Sequence, residues 1–82
     1  MSWYVYVLQC IDNTLYTGIT TDVERRVKEH NTSIKGAKYT KTRRPVKLVY
    51  TESSIDRSTA SKREYTIKKL SRKKKIELIK LK

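Results

Sequence analysis

Arg26 and His30 stand four residues apart in a segment with helical patterning, so a guanidinium and an imidazole share one helix face. Such a pair can hold a phosphate and move a proton. It is equally a pair that decorates ordinary solvated helices. Glu64 falls about 40° from Ala60 and about 60° from Ile67 on a helical wheel, within the stripe that its helix must bury. A carboxylate there is costly unless it is paired, hydrogen-bonded or bound to a metal. A salt bridge answers that need, and so does a hard divalent cation held by one carboxylate, waters and substrate phosphate. Tyr6 and Tyr16 lie on two apolar-aromatic segments joined by a short turn, which allows them neighbouring places on one sheet face. Both also fit as plain half-buried strand tyrosines. Gly18 interrupts a strand pattern, where glycine marks a bulge, tight packing or the close approach of a ligand.

The elements that must hold these groups can be read from periodicity. Trp3 to Gln9 is rich in β-branched and aromatic residues and predicts a strand. Asp12-Asn13-Thr14 supplies a turn, and Leu15 to Thr20 forms the antiparallel partner. Thr21 is the expected N-cap of a helix running to about Asn31, with Glu24 completing a capping box and Val23 and Val27 facing inward. Residues 32–45, with Gly36 and Pro45, form a basic loop with a short helical turn near Ala37-Lys38-Tyr39. Val46 to Tyr50 is a third strand, reaching to about residue 51. Asp56 or Ser58 caps a second long helix carrying Ala60, Ile67 and Leu70 inward, and Ser71 caps a last basic helix with Ile76, Leu78, Ile79 and Leu81. The order β-β-α-β-α-α predicts one α/β sandwich domain over residues 1–82: a small, mainly antiparallel three-stranded sheet flanked by helices.

Charge narrows the class of partner. Lys and Arg number 20 against 8 acidic residues, a net charge of +12. Residues 1–34 carry three basic and four acidic side chains, a net of −1, so residues 35–82 carry a net of +13. Such a surface attracts polyanions by releasing their counterions, and nucleic acid is the expected partner. The basic helices lack the bulky aromatic face of membrane-surface helices, and no apolar run is long enough to span a bilayer. The start of the chain reads as a strand, not a signal peptide. Cys10 is the only cysteine, which excludes a disulfide framework and a thiolate zinc site and suits a reducing cytoplasm.

Taken together, the sequence resembles the GIY-YIG nuclease superfamily over essentially its whole length. Tyr4-Val5-Tyr6 stands at the first motif and Tyr16-Thr17-Gly18 at the second. The stretches Leu15 to His30 and Arg63 to Ser71 look like the small stand-alone YhbQ-like branch. The superfamily includes the nuclease of an excision-repair subunit, homing and restriction endonucleases, and junction-resolving enzymes. By that resemblance Glu64 is the single protein ligand of a divalent metal, Mg or Mn, and Arg26 stabilises charge on the scissile phosphate. Tyr6, Tyr16 and His30 then form the hydrogen-bonded group that activates water. A tyrosine with its ordinary pKa of about 10 needs nearby cations for that, and Arg26 and the metal are the expected source. Which tyrosine faces the water stays open.

The chain also departs from the pattern. Ile19 stands where better-characterised members often carry lysine, Arg72 to Ile76 where many carry an asparagine, and Tyr4 replaces the first motif's glycine. The resemblance therefore implies a monomeric, metal-dependent endonuclease, structure-selective rather than sequence-selective, with DNA ahead of RNA. The alternative is a non-catalytic basic nucleic-acid-binding module. On that reading Arg43, Arg44, Lys73, Lys74 and Lys75 do the work, and Glu64 forms a salt bridge.

Overall fold

A computed structural model describes residues 2–32 and 38–80. Strands β1 (Trp3–Gln9), β2 (Leu15–Thr20) and β3 (Lys47–Ser54) form a fully antiparallel sheet in the order β2-β1-β3. Helices α1 (Val23–Thr32) and α2 (Lys38–Lys41) lie between β2 and β3 in the chain, and α3 (Arg57–Lys69) and α4 (Arg72–Lys80) follow β3. The expected three-stranded, helix-flanked sheet is the observed one. Among the described residues no helix is long and apolar enough to cross a membrane.

Strand β1 is central and buried on both sides, and its alternation divides the molecule. Val5 and Val7 pack with Ala60 and Ile67 of α3, with Leu78 and Ile79 of α4 covering the same cluster. Tyr6, Leu8 and Cys10 face the other way, against Val46, Tyr16 and the Val23 and Val27 side chains of α1. Each fully buried aliphatic side chain contributes about 1.5–3 kcal/mol, so the two clusters are the main cohesive force of a small domain. The β1–β2 hairpin closes through Cys10 N–H to the Thr14 carbonyl at 2.9 Å, with Asn13 at a φ of 67°. Asn tolerates that left-handed conformation better than most residues.

Several boundaries differ from expectation. Asp22, not Thr21, caps α1: its Oδ1 accepts the Arg25 N–H at 3.1 Å, while Thr20 Oγ1 accepts the Asp22 N–H. The cap lies one residue further on because the Thr20 bond first turns the chain out of β2. The turn foreseen near residues 37–39 is α2, with Gly36 and Ala37 outside the described residues. Strand β3 begins after Val46 and continues through Ser54, past its apolar run. Its length follows its partner, since it pairs along the whole of β1 from Gln9↔Lys47 to Trp3↔Ser54. Val46 is buried, but its backbone is already satisfied by the Asn31 amide, which donates to its carbonyl at 3.0 Å and accepts its N–H at 2.7 Å. Asp56 caps α3 by accepting the Thr59 N–H at 2.8 Å, and Ser71 caps α4 through the Lys74 N–H. Leu81 lies outside the described residues.

Candidate functional site

On the Tyr6 face of the sheet, α1 lies across β1 and β2 and completes a polar cluster. Tyr6 pairs across the strands with Gly18, and its ring folds over that glycine. A Cβ at position 18 would stand 2.5 Å from Tyr6 Oη and 2.7 Å from Cζ. Gly18 has no positive φ, so no special backbone conformation requires it; its missing side chain houses Tyr6. That places the Tyr6 hydroxyl 2.8 Å from His30 Nε2, and His30 Nδ1 lies 2.8 Å from Thr40 Oγ1. The Arg26 guanidinium also bonds the Tyr6 phenol and holds Glu29 Oε1 at 2.9 Å. Because Arg26 can only donate, the Tyr6 oxygen accepts from it and spends its own proton on Nε2. The imidazole is then the tautomer protonated at Nδ1, donating to Thr40.

Arg26 and His30 do share a helix face, but that face is turned into the fold: His30 is fully buried, as is Thr40. Burial, followed by the Arg26 charge, depresses the His30 pKa to about 4, so the ring is neutral near pH 7. Tyr6 is 1% exposed, and its burial pushes the phenol up to about 12. Arg26 pulls the other way, and the nearby Tyr16 and Glu64 side chains add to the rise. For the Tyr6 phenol, desolvation outweighs the pull of the Arg26 guanidinium.

Tyr16 sits diagonally across from Tyr6, ring centroids 6.5 Å apart, and is half-buried. Its ring meets His30 edge-on at 5.1 Å and stacks on Tyr39 of α2 at 5.9 Å. Glu64 enters from α3. Its neighbours on the wheel, Ala60 and Ile67, are fully buried, whereas the Glu64 side chain keeps 23% exposure. Lys68, one turn on, holds Oε2 at 3.3 Å, and among the described residues Oε1 has no partner. The carboxylate is thus neither isolated nor sealed, and its charge reaches the Tyr6 phenol.

The basic residues separate into two groups. Arg43 Nε donates to Asp12 Oδ2 at 3.0 Å, and its Nη1 donates to the Tyr39 carbonyl at 2.9 Å, with the guanidinium 4.0 Å over the Tyr39 ring. Arg44 donates to the carbonyls of His30 and Glu29, satisfying the last turn of α1. Both arginines are engaged inside the fold at the margin of the cluster. Lys73 and Lys74 are exposed and Lys75 half-buried on α4, which packs on the Val5–Val7 side of the sheet. Those lysines are not part of the Tyr6 cluster. Thr40, Tyr39 and Asn31 escaped the sequence reading. Each acts through a partner distant in the chain, and an exposed tyrosine in a basic loop was the one available signal.

The chain matches the family described as the GIY-YIG catalytic domain over residues 2–77. It is 62% identical over 79 residues to a UPF0213 protein of Desulfotalea psychrophila, covering 96% of this chain and 72% of that one. A UPF0213 protein of Staphylococcus haemolyticus is 58% identical, covering 93% and 92%. The solution NMR structure of a UPF0213 protein from Bacillus halodurans superposes with a TM-score of 0.64 at 51% identity, covering 100% of this chain and 86% of that one.

Proposed function

The chain belongs to the GIY-YIG family, whose fold is nuclease-like, and we propose that it is a divalent-metal-dependent phosphodiesterase that binds nucleic acid and hydrolyses its backbone. The observation that carries this reading is convergence: β1, β2 and α1 bring Tyr6, Tyr16, Arg26 and His30 to one cluster, and the charge of Glu64 on α3 acts on the Tyr6 phenol.

The donor chemistry at Glu64 fits a hard cation such as Mg or Mn. The Glu64 side chain is partly exposed and its Oε1 is open, so one carboxylate oxygen is available alongside waters and substrate phosphate; among the described residues no group of three His, Cys, Asp or Glu side chains could hold a metal ion by itself. When bound, the cation supplies Lewis-acid stabilisation of the phosphate and the leaving oxygen. Arg26 orients the phosphate and offsets its charge. Tyr16, the tyrosine with an edge in solvent, orients the attacking water. Tyr6 and His30 form the buried end of the proton path: Tyr6 passes its proton to Nε2 as it takes one from the water. A phosphate against Arg26 offsets the charge that helps depress His30, making the imidazole a better acceptor when substrate is present. The basic surface binds the backbone with little sequence preference, which fits selection by structure, with DNA ahead of RNA.

The Glu64–Lys68 ion pair favours a second reading, a non-catalytic binding module in which Glu64 is only structural. Glu64→Gln separates the two. On the catalytic reading, cleavage of a mixed panel of DNA and RNA structures, stimulated by magnesium or manganese, collapses. Affinity for nucleic acid holds or rises. Stability changes by less than about 1 kcal/mol, because the lost ion pair is partly exposed. Absence of metal-stimulated cleavage by the unaltered protein, with no metal-dependent NMR shift at Tyr6, Tyr16, Arg26, His30 or Glu64, leaves the binding module.

A further inference from the structure

A ladder of flat groups runs from the buried histidine to the protein surface. His30 meets Tyr16 at 5.1 Å, Tyr16 stacks on Tyr39 at 5.9 Å with 26° between the rings, and the Arg43 guanidinium lies 4.0 Å over Tyr39. The outer end is open and stiff. Tyr39 is 39% exposed, and Arg43 is pinned by Asp12 and by the Tyr39 carbonyl. The hairpin turn joins the same surface, since the Ile11 N–H donates to the Arg43 carbonyl at 3.1 Å and the Ile11 side chain is 63% exposed.

We propose that Tyr39, Arg43 and Ile11 form a stacking platform for one unpaired nucleobase, next to the phosphate held at Arg26. Aromatic rings and arginine planes take any base by its π-face, and an apolar side chain beside them fills a step left by an unstacked neighbour. Pinning Arg43 in advance lowers the entropy lost when the base docks. The platform rests on the phosphodiesterase reading and narrows it: the substrate presents a single-stranded, flipped or frayed nucleotide at the site, because a base inside an intact duplex has no free face to offer.

The test is a binding measurement without metal, so that cleavage plays no part. Fluorescence anisotropy is read for a labelled single strand, the same strand with a central run of abasic sites, and the blunt duplex. The proteins are the unaltered chain, Tyr39→Ala, Tyr39→Phe and Arg43→Lys, each verified as folded by its thermal melt. The platform requires that Tyr39→Ala weaken single-strand binding about tenfold or more while duplex binding stays within about twofold. Arg43→Lys, which keeps the charge and loses the plane, shows the same selectivity to a smaller degree, and Tyr39→Phe retains affinity. The abasic strand binds the unaltered protein as weakly as the full strand binds Tyr39→Ala. Equal losses on single strand and duplex, or no loss in Tyr39→Ala and Arg43→Lys, overturn the platform and leave the phosphodiesterase reading untouched. Failure of the unaltered protein to bind any of the oligonucleotides overturns that reading instead, and the platform with it.

Discussion

The two faces of strand β1 are built from alternate residues of one short segment, yet they have opposite chemistry. Toward α3 and α4, Val5 and Val7 meet Ala60 and Ile67 in a wholly apolar seam. Toward α1 and α2, Tyr6 meets His30 and Thr40 in a chain of hydrogen bonds that is just as dry. Dryness does different work on each side. In the apolar seam it yields transfer free energy directly. In the polar cluster it moves proton affinities, raising the Tyr6 phenol and lowering the His30 imidazole, and every group must find a partner to offset its burial. One face holds the domain together, and the other keeps a neutral phenol and a neutral imidazole side by side.

The sharpest way to break this division is to open the apolar seam. Ile67→Ala, at a fully buried position, should cost about 2–5 kcal/mol. In a domain of this size each kcal/mol lowers the melting temperature by roughly 4–8 °C. Below the new transition, the His30 NMR signals should be unchanged. If they shift as much as those of Val5 and Val7, the faces are not independent.

Acid addresses the polar face. The unfolded chain protonates His30 near 6.5, but the folded protein does so only near 4. As pH falls, the unfolded state therefore takes the proton first. The contribution of neutral His30 is intact above about 6.5 and is lost progressively down to about 4. The full loss is about 3 kcal/mol, read as urea midpoints between pH 7.5 and 4. His30→Gln should flatten that slope within the same window. An equal slope in both proteins would mean that the imidazole charges without cost in the fold.

Gly18→Ala probes the cluster more gently. The added methyl meets Tyr6, whose ring is buried and whose hydroxyl is tied to His30, so it cannot simply swing aside. A loss of about 1–3 kcal/mol is expected, together with a changed His30 imidazole spectrum. An intact spectrum would show that the strands had separated instead. The smallest effect on stability belongs to the outer surface of α4. Replacing Lys73, Lys74 and Lys75 together with glutamine should leave the melting curve nearly unchanged. It should also flatten the dependence of log affinity on log salt, by about 0.9 for each phosphate contact removed. An unchanged slope would move nucleic acid to the Tyr6 side of the sheet altogether.

Periodicity in the sequence determined the elements and their inward faces. Alternation assigned β1, the 3.6-residue spacing assigned Ala60 and Ile67 to the core, and short polar side chains marked Asp56 and Ser71 as caps. Residue type also singled out Tyr6, Tyr16, Gly18, Arg26, His30 and Glu64. These signals are local, so they survive in the bare chain. Only the tertiary structure decided that His30 points inward to Tyr6, that Thr40 completes its hydrogen bonding, and that Asn31 takes over the backbone of Val46 and delays β3. It also showed Arg43 and Arg44 bonded to the Tyr39 carbonyl and the end of α1. Each of those outcomes depends on groups 4 to 24 residues apart meeting in the folded chain, and the Tyr6–His30–Thr40 bonds are fully buried. Desolvation, which sets the Tyr6 and His30 proton affinities, is a property of that enclosure and has no counterpart in the spacing of the residues.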